Sequence, residues 1–169
     1  TNLGATTVGS NFYTLTNPTG IVTITPASIS VTSSNAVKVY DATTAVTSAT
    51  TVPVATLSAG TLYTNTATGD VDALSGGSFE YLTSGVGNGN KSVSVNSVGV
   101  LNGSNNAAAN YSITYVDNTT STITPAPITI SGLTASNKQY DTSLVAVVSG
   151  TATANGALGA DSVAVLGSA

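Results

Sequence analysis

Residues 24–31 read ITPASISV and residues 123–130 read ITPAPITI. One pattern occurs twice, at an offset of 99 residues (24 against 123), with a proline inside what otherwise reads as a β-strand. The likeness extends outward from both copies. Downstream, Lys38, Tyr40 and Asp41 of NAVKVYDATTAV stand against Lys138, Tyr140 and Asp141 of NKQYDTSLVAV, at an offset of 100. Upstream, Tyr13 and Leu15 stand against Tyr111 and Ile113, at an offset of 98. One-residue changes in turns account for the drift. A period close to one ordinary domain marks tandem modules and is too long for a solenoid repeat.

The prolines define the joint. Pro26 and Pro125 have no N–H to give a ladder, so they belong at a strand edge or between strands. Thr25 and Thr124, just before them, are pushed to extended geometry. Pro125 and Pro127 together favour polyproline II. The repeated octapeptide is therefore a short, stiff connector between modules stacked end to end, with no Gly/Ser tether. On this reading residues 1–26 are the C-terminal strands of a preceding repeat. Residues 27–125 are a complete repeat, and residues 126–169 are the N-terminal half of the next. Two arrangements follow as expectations: a piece of a long array, or identical chains completing one another by strand donation into a fibre.

Composition narrows the class. Charged residues are 6% of the chain, against roughly 25% in an average domain, and Ser and Thr make up roughly a third. A net charge of −4 argues against nucleic acid as a partner. The hydrophobic content of 41%, rich in alternating Val and Ile, argues against disorder. The absence of Cys removes disulfide staples. No apolar run reaches membrane length, so membrane insertion is not expected, and with no initiator Met and no signal peptide the chain reads as an excerpt of a longer secreted polypeptide.

No helical period is found. Short strand candidates such as SISVT, AVKVY, SFEYLT, KSVSV and STITPAPITI alternate with turn clusters such as NPTG, GVGNGN and LNGSNN. In SFEYLT, Phe79 and Tyr81 share one face and Glu80 takes the other. Val93 and Val95 face inward, and the inward parity then shifts to Val98 and Val100, with Asn96 and Gly99 the expected hosts of a bulge. The fold class is all-β: tandem immunoglobulin-like β-sandwich modules, one complete and two partial.

KVYDATTAV and KQYDTSLVAV, then GVGNGNKSVSV, AANYSITY and STITPAPITI, resemble the YDG repeat domains of large bacterial surface adhesins, the filamentous-haemagglutinin-like proteins among them. The resemblance runs over essentially the whole chain, and the order and spacing of the words carry it. It implies an extracellular or cell-surface location and a repetitive structural role. It does not imply a ligand. Ala42 and Thr142 stand where the family has the glycine of Tyr-Asp-Gly, so the turn that glycine permits is expected to be altered here. Between Tyr40 and Gly60 lie twenty steps, against ten from Tyr140 to Gly150, which suggests an added hairpin or loop in the first module.

Candidate chemistry is sparse. His and Cys are absent and Glu80 is the single Glu, so no enzymatic role is expected. Asp41 and Asp141 read as turn carboxylates accepting backbone N–H groups, beside Tyr40 and Tyr140 packed on the module end. With Pro26, Pro125 and Pro127 these four residues form the candidate inter-repeat joint. Asp70 and Asp72, with Asp161 in the second copy, are weak Ca²⁺ candidates, since Ca²⁺ needs six to eight oxygens; no other cofactor is expected. The matched Lys38 and Lys138 raise the question of an intramolecular Lys–Asn isopeptide bond. The alternation Val37-Lys38-Val39 turns Lys38 away from the valines, outward, as a solvated lysine. Asn90, Asn102, Asn110 and Asn118 match the glycosylation pattern, a frequent coincidence in so Asn-rich a chain. The expected partners are neighbouring repeats or identical chains in a fibre. The alternative is a host protein or glycan bound by an adhesin module, although seven Tyr, two Phe and no Trp are mostly needed for the core.

Overall fold

The computed structural model describes residues 23–166. The strands expected in residues 1–26 lie almost wholly outside the described residues. The protein is all-β. Its strands are β1 Ala27–Ser33, β2 Val37–Val39, β3 Ala55–Ala59, β4 Asp72–Tyr81, β5 Gly87–Asn102, β6 Asn105–Asn106, β7 Tyr111–Tyr115, β8 Asn118–Thr124, β9 Thr129–Ala135 and β10 Val148–Asn155. The only helical turn among the described residues is 3₁₀, at Ala108–Asn110, and no helix is long and apolar enough to cross a membrane.

Two sheets are built from β1 to β8: a three-stranded sheet in the order β3-β1-β7, and a larger one in the order β2-β8-β5-β4 with β6 appended to β5. A third, two-stranded sheet pairs β9 with β10. The sequence pattern accounts for these strands. Pro26 sits immediately before β1, where no ladder N–H is needed. Ile29, Val31 and Ser33 then alternate inward from β1. Ile29 and Val31 meet Val95, Val98 and Val100 of β5 and Tyr111 of β7 in one apolar cluster. A second cluster joins Ala36, Tyr81, Val93 and Ile123, and Phe79 packs against both. Fully burying a side chain such as Val31, Val93 or Ile123 contributes about 1.5–3 kcal/mol.

The long β4–β5 hairpin shows where the parity shift is made. Its pairs keep one register from Asp72↔Asn102 to Tyr81↔Val93. A one-sided bulge at Asn96 or Gly99 would break that register. Instead Ser97 adopts φ 56°, and Gly76 and Gly77 of the facing strand adopt φ 66° and 114°. Both strands kink together. The inward face passes from Tyr81 and Phe79 to Leu74 on β4, and from Val93 and Val95 to Val98 and Val100 on β5.

The first and last segments of this unit run side by side in the same direction. β1 pairs parallel with β7, from Ala27↔Tyr111 to Val31↔Tyr115. β2 pairs parallel with β8, from Val37↔Thr122 to Val39↔Thr124. Both segments change sheets at the same level, and the crossing is stitched. Val116 N–H donates to the Val31 carbonyl (2.9 Å), Ala36 N–H to Ser121 Oγ (3.0 Å), and the Asn118 amide to the Ser33 carbonyl (3.0 Å). The chain therefore enters at a leading pole beside Ala27 and leaves at the opposite, trailing pole beside Thr124.

The second copy reproduces the β1–β3 pair as β9–β10, each with a one-residue register shift. Its geometry corrects the loop count. A Cβ on Gly60 would lie 2.6 Å from the Ser28 carbonyl oxygen, and one on Gly156 would lie 2.8 Å from that of Pro127. Gly60 thus corresponds to Gly156, not Gly150. The distance from Tyr140 is sixteen steps against twenty in the first copy, an addition of four rather than ten.

Candidate functional site

The trailing pole is organised by a loop that follows directly on β2. Lys38 lies opposite Ile123 of β8, and its side chain turns inward, fully buried. Its outward assignment from alternation is wrong; Val39 is the exposed residue. Burial is tolerated because every proton of the ammonium is taken. Lys38 Nζ donates to Asp41 Oδ1 (2.6 Å), the Thr43 carbonyl (2.8 Å) and the Ala45 carbonyl (3.0 Å). It also lies 5.5 Å from the centre of the Tyr81 ring, within cation–π range.

Asp41 closes the loop from the other side. Its Oδ1 also accepts from Thr43 N–H (2.9 Å) and the Thr43 hydroxyl (2.9 Å), and its Oδ2 accepts from the Ser48 hydroxyl. The Lys38 hydrogen bond first, then Ser48, hold this carboxyl well below the usual carboxylate range. The expected turn carboxylate is thus present, with an ammonium added to its partners. An ionised pair works against isopeptide formation, which needs an uncharged amine, and Lys38 bonds no Asn side chain among the described residues.

Between Asp41 and Thr43 the chain must reverse, and Ala42 does so at φ 64°. Thr142 adopts φ 64° at the same point of the second copy. The left-handed turn is therefore kept without glycine, contrary to the expected alteration. The cost of a Cβ in this region, about 1–2 kcal/mol, is offset by the Asp41 bonds on either side. In the second copy Lys138 Nζ donates to Asp141 Oδ1 (2.8 Å) and the Ser143 carbonyl (2.7 Å), and Ser143 N–H donates to Asp141 Oδ1 (3.0 Å).

Tyr40 is the residue that faces the next copy. Its N–H donates to the Thr124 carbonyl (2.8 Å), which fixes it beside the connector. Its side chain borders a cleft of about 210 Å³ with Pro125, Ala126, Ile128, Leu158 and Asp161. Hydrogen bonding to the Asp161 carboxylate is the first cause that raises the Tyr40 hydroxyl above its ordinary pKa. Gly159 completes the contact at φ 60°: a Cβ there would lie 2.8 Å from that of Ala42. The left-handed residue of the loop is thus itself a point of contact between copies.

Of the expected joint residues, the structure brings Tyr40 and Pro125 together, with Pro127 meeting Gly156. Asp41 is turned back onto Lys38 and supports the joint from behind. Tyr140 is 92% exposed, and Asp141 is occupied with Lys138. Pro26 precedes β1, and the residues before Thr23 lie outside the described residues. The Ca²⁺ candidates are not gathered. Asp70 and Asp72 belong to the leading pole, where Asp72 accepts from the Asn102 amide (2.6 Å) and the Tyr111 hydroxyl, whereas Asp161 sits at the trailing joint. No cluster of three or more His, Cys, Asp or Glu occurs among the described residues. Sequence reasoning missed Gly159 and Leu158 and placed Lys38 on the wrong face. For Lys38 a signal existed: the spacing Lys-x-Tyr-Asp recurs in both copies, and a solvated lysine has no reason to keep step with an aspartate.

No curated protein and no solved structure matches this chain. Residues 25–121, more than half of the chain, match the family model described as the YDG domain, so the chain belongs to that family.

Proposed function

We propose that this chain is a structural repeat of a secreted bacterial adhesin or cell-surface fibre, with immunoglobulin-like sandwich modules joined in tandem into a stiff rod. One observation carries the reading: the parallel pairing of β1 with β7 and of β2 with β8. A module whose ends lie at opposite poles propagates in one direction when copied. The thirteen residues Ala27–Val39 span at most about 40 Å at 3.3 Å per residue, which sets the advance per repeat. The connector adds no slack, because Thr124 ends β8 and β9 begins at Thr129, with Pro125 and Pro127 between. Tyr40 and Asp161, which line the same cleft, and the close approach of Gly159 to Ala42 then limit rotation at the joint.

Small-angle scattering on arrays of two, four and eight repeats tests this. The maximum dimension rises linearly by about 40 Å per repeat for a rod. A flexible or collapsed array, whose dimension grows with a clearly lower power of repeat number, defeats the proposal. A self-assembling form of the same reading draws on β9–β10, where Ile130, Leu133 and Val148 are exposed. Strand donation between chains at that sheet predicts filaments longer than one chain by negative-stain microscopy.

A further inference from the structure

We propose that the leading pole of the first repeat binds a neutral polyhydroxylated ligand, a short oligosaccharide, in a cleft walled on one side by a hairpin that the second copy does not have between Leu158 and Asp161. The second copy passes from Leu158 to Asp161 in three steps; the first takes eight from Leu62 to Asp70. The additional residues are ordered as a tight hairpin. Asn65 N–H donates to the Asp70 carbonyl (2.7 Å), Gly69 N–H to the Asn65 carbonyl (2.7 Å), and Asp72 N–H to the Tyr63 carbonyl (2.8 Å). Across from this hairpin stand the β5–β6 turn and the 3₁₀ turn. Between them lies an open cleft of about 440 Å³, within the usual range for small-molecule sites.

The lining is suited to sugar hydroxyls. Tyr63, Asn65, Asp72, Asn102, Asn105 and Asn110 contribute to it. Amides both donate and accept, as a hydroxyl does, and a carboxylate has lone pairs beyond two hydrogen bonds. The Asn105 and Asn110 side chains make no hydrogen bond to protein among the described residues. No lysine lines the cleft, so nothing there neutralises an anionic ligand. Tyr63 supplies an aromatic surface, more than half exposed and stacked on Tyr111 with centroids 6.5 Å apart and planes at 21°.

The part of the lining formed by Tyr63, Asp72 and Asn102 is fixed in advance. Tyr63 N–H donates to the Tyr111 hydroxyl (3.0 Å), that hydroxyl donates to Asp72 Oδ2, and the Asn102 amide donates to Asp72 Oδ1 (2.6 Å). Preorganised polar groups lose little entropy on binding.

The test uses the intact chain on a glycan array in the presence of EDTA, with each hit titrated by calorimetry. Binding of at least one neutral glycan is expected. Tyr63→Ala and Asn105→Ala each weaken it about tenfold or more at unchanged melting temperature, and Tyr63→Phe retains it. A blank array overturns the proposal, as does a hit indifferent to both alanine variants. Binding seen only when Ca²⁺ replaces the chelator also overturns it, by making the metal the ligand. None of these outcomes bears on the rod, which scattering judges separately.

Discussion

The loop after β2 and its copy at Lys138 are built alike and buried differently. Lys38 and Lys138 each reach the aspartate three residues on, at 2.6 and 2.8 Å, and each is followed by a left-handed residue at φ 64°. Yet the Lys38 side chain is 0% exposed, whereas that of Lys138 is 33% exposed. The backbone of the loop is thus a local property of Lys-x-Tyr-Asp. Burial is supplied from elsewhere, by β8 alongside Lys38, by the Tyr81 ring and by the Ala45 carbonyl. A preformed local turn becomes a core element only when later strands close over it.

That contrast sets the largest expected effect. Asp41→Ala leaves a buried ammonium without its counter-ion and lowers the unfolding free energy of the first repeat by about 3–5 kcal/mol. Asp141→Ala removes a solvated pair and leaves the urea midpoint unmoved. Equal responses from the two variants would show that burial is not what separates the two loops.

The pH profile sharpens the same comparison with a smaller effect. Asp41 is depressed, chiefly by Lys38, so its contribution is complete above the unfolded carboxylate value of about 3.9 and is lost as pH falls through the lower folded value. Tyr81 and Tyr111 are raised, chiefly by burial, so their contribution is complete below about 10 and is lost as pH rises beyond it. With no histidine in the chain, melting temperature should be flat between about pH 5 and pH 9 and fall on both sides. Asp41→Ala should flatten the acid limb and leave the alkaline limb in place. An acid limb of undiminished slope in that variant assigns acid sensitivity to some other carboxylate.

Much of this was legible in the sequence. The strand-rich pattern and the inward faces of Phe79, Tyr81, Val93, Val95, Val98 and Val100 follow from periodicity, which burial enforces along long strands. The trailing joint was half legible: Pro125 and Tyr40 mark it, but Leu158, Gly159 and Asp161 reach it through a fold-back that no local spacing reports. Lys38 was misread because a three-residue strand carries too little alternation to fix a face, and the default for lysine then prevails. The kink was misplaced because its cause is shared between strands: Ser97 alone looks unremarkable until Gly76 and Gly77 are set opposite. The hairpin lining the leading cleft was hidden by pairing Gly60 with the wrong glycine.

The smallest effect tests the contact between the two copies. Ala42→Gly relieves the left-handed Cβ and, after the added entropy of the unfolded glycine, stabilises the first repeat by about 0.5–1 kcal/mol. Gly159→Ala does harm in two ways, by straining a residue at φ 60° and by driving its Cβ against that of Ala42. Only the second is relieved when position 42 is also glycine. Hydrogen exchange across residues 128–163 should therefore show joint protection lost in Gly159→Ala and partly recovered in the double variant, a coupling of about 0.5 kcal/mol or more. Strict additivity would mean that the two side chains never meet in solution and that the joint swings freely about its prolines. The stiffness argued for the rod would then have to come from Pro125 and Pro127 alone.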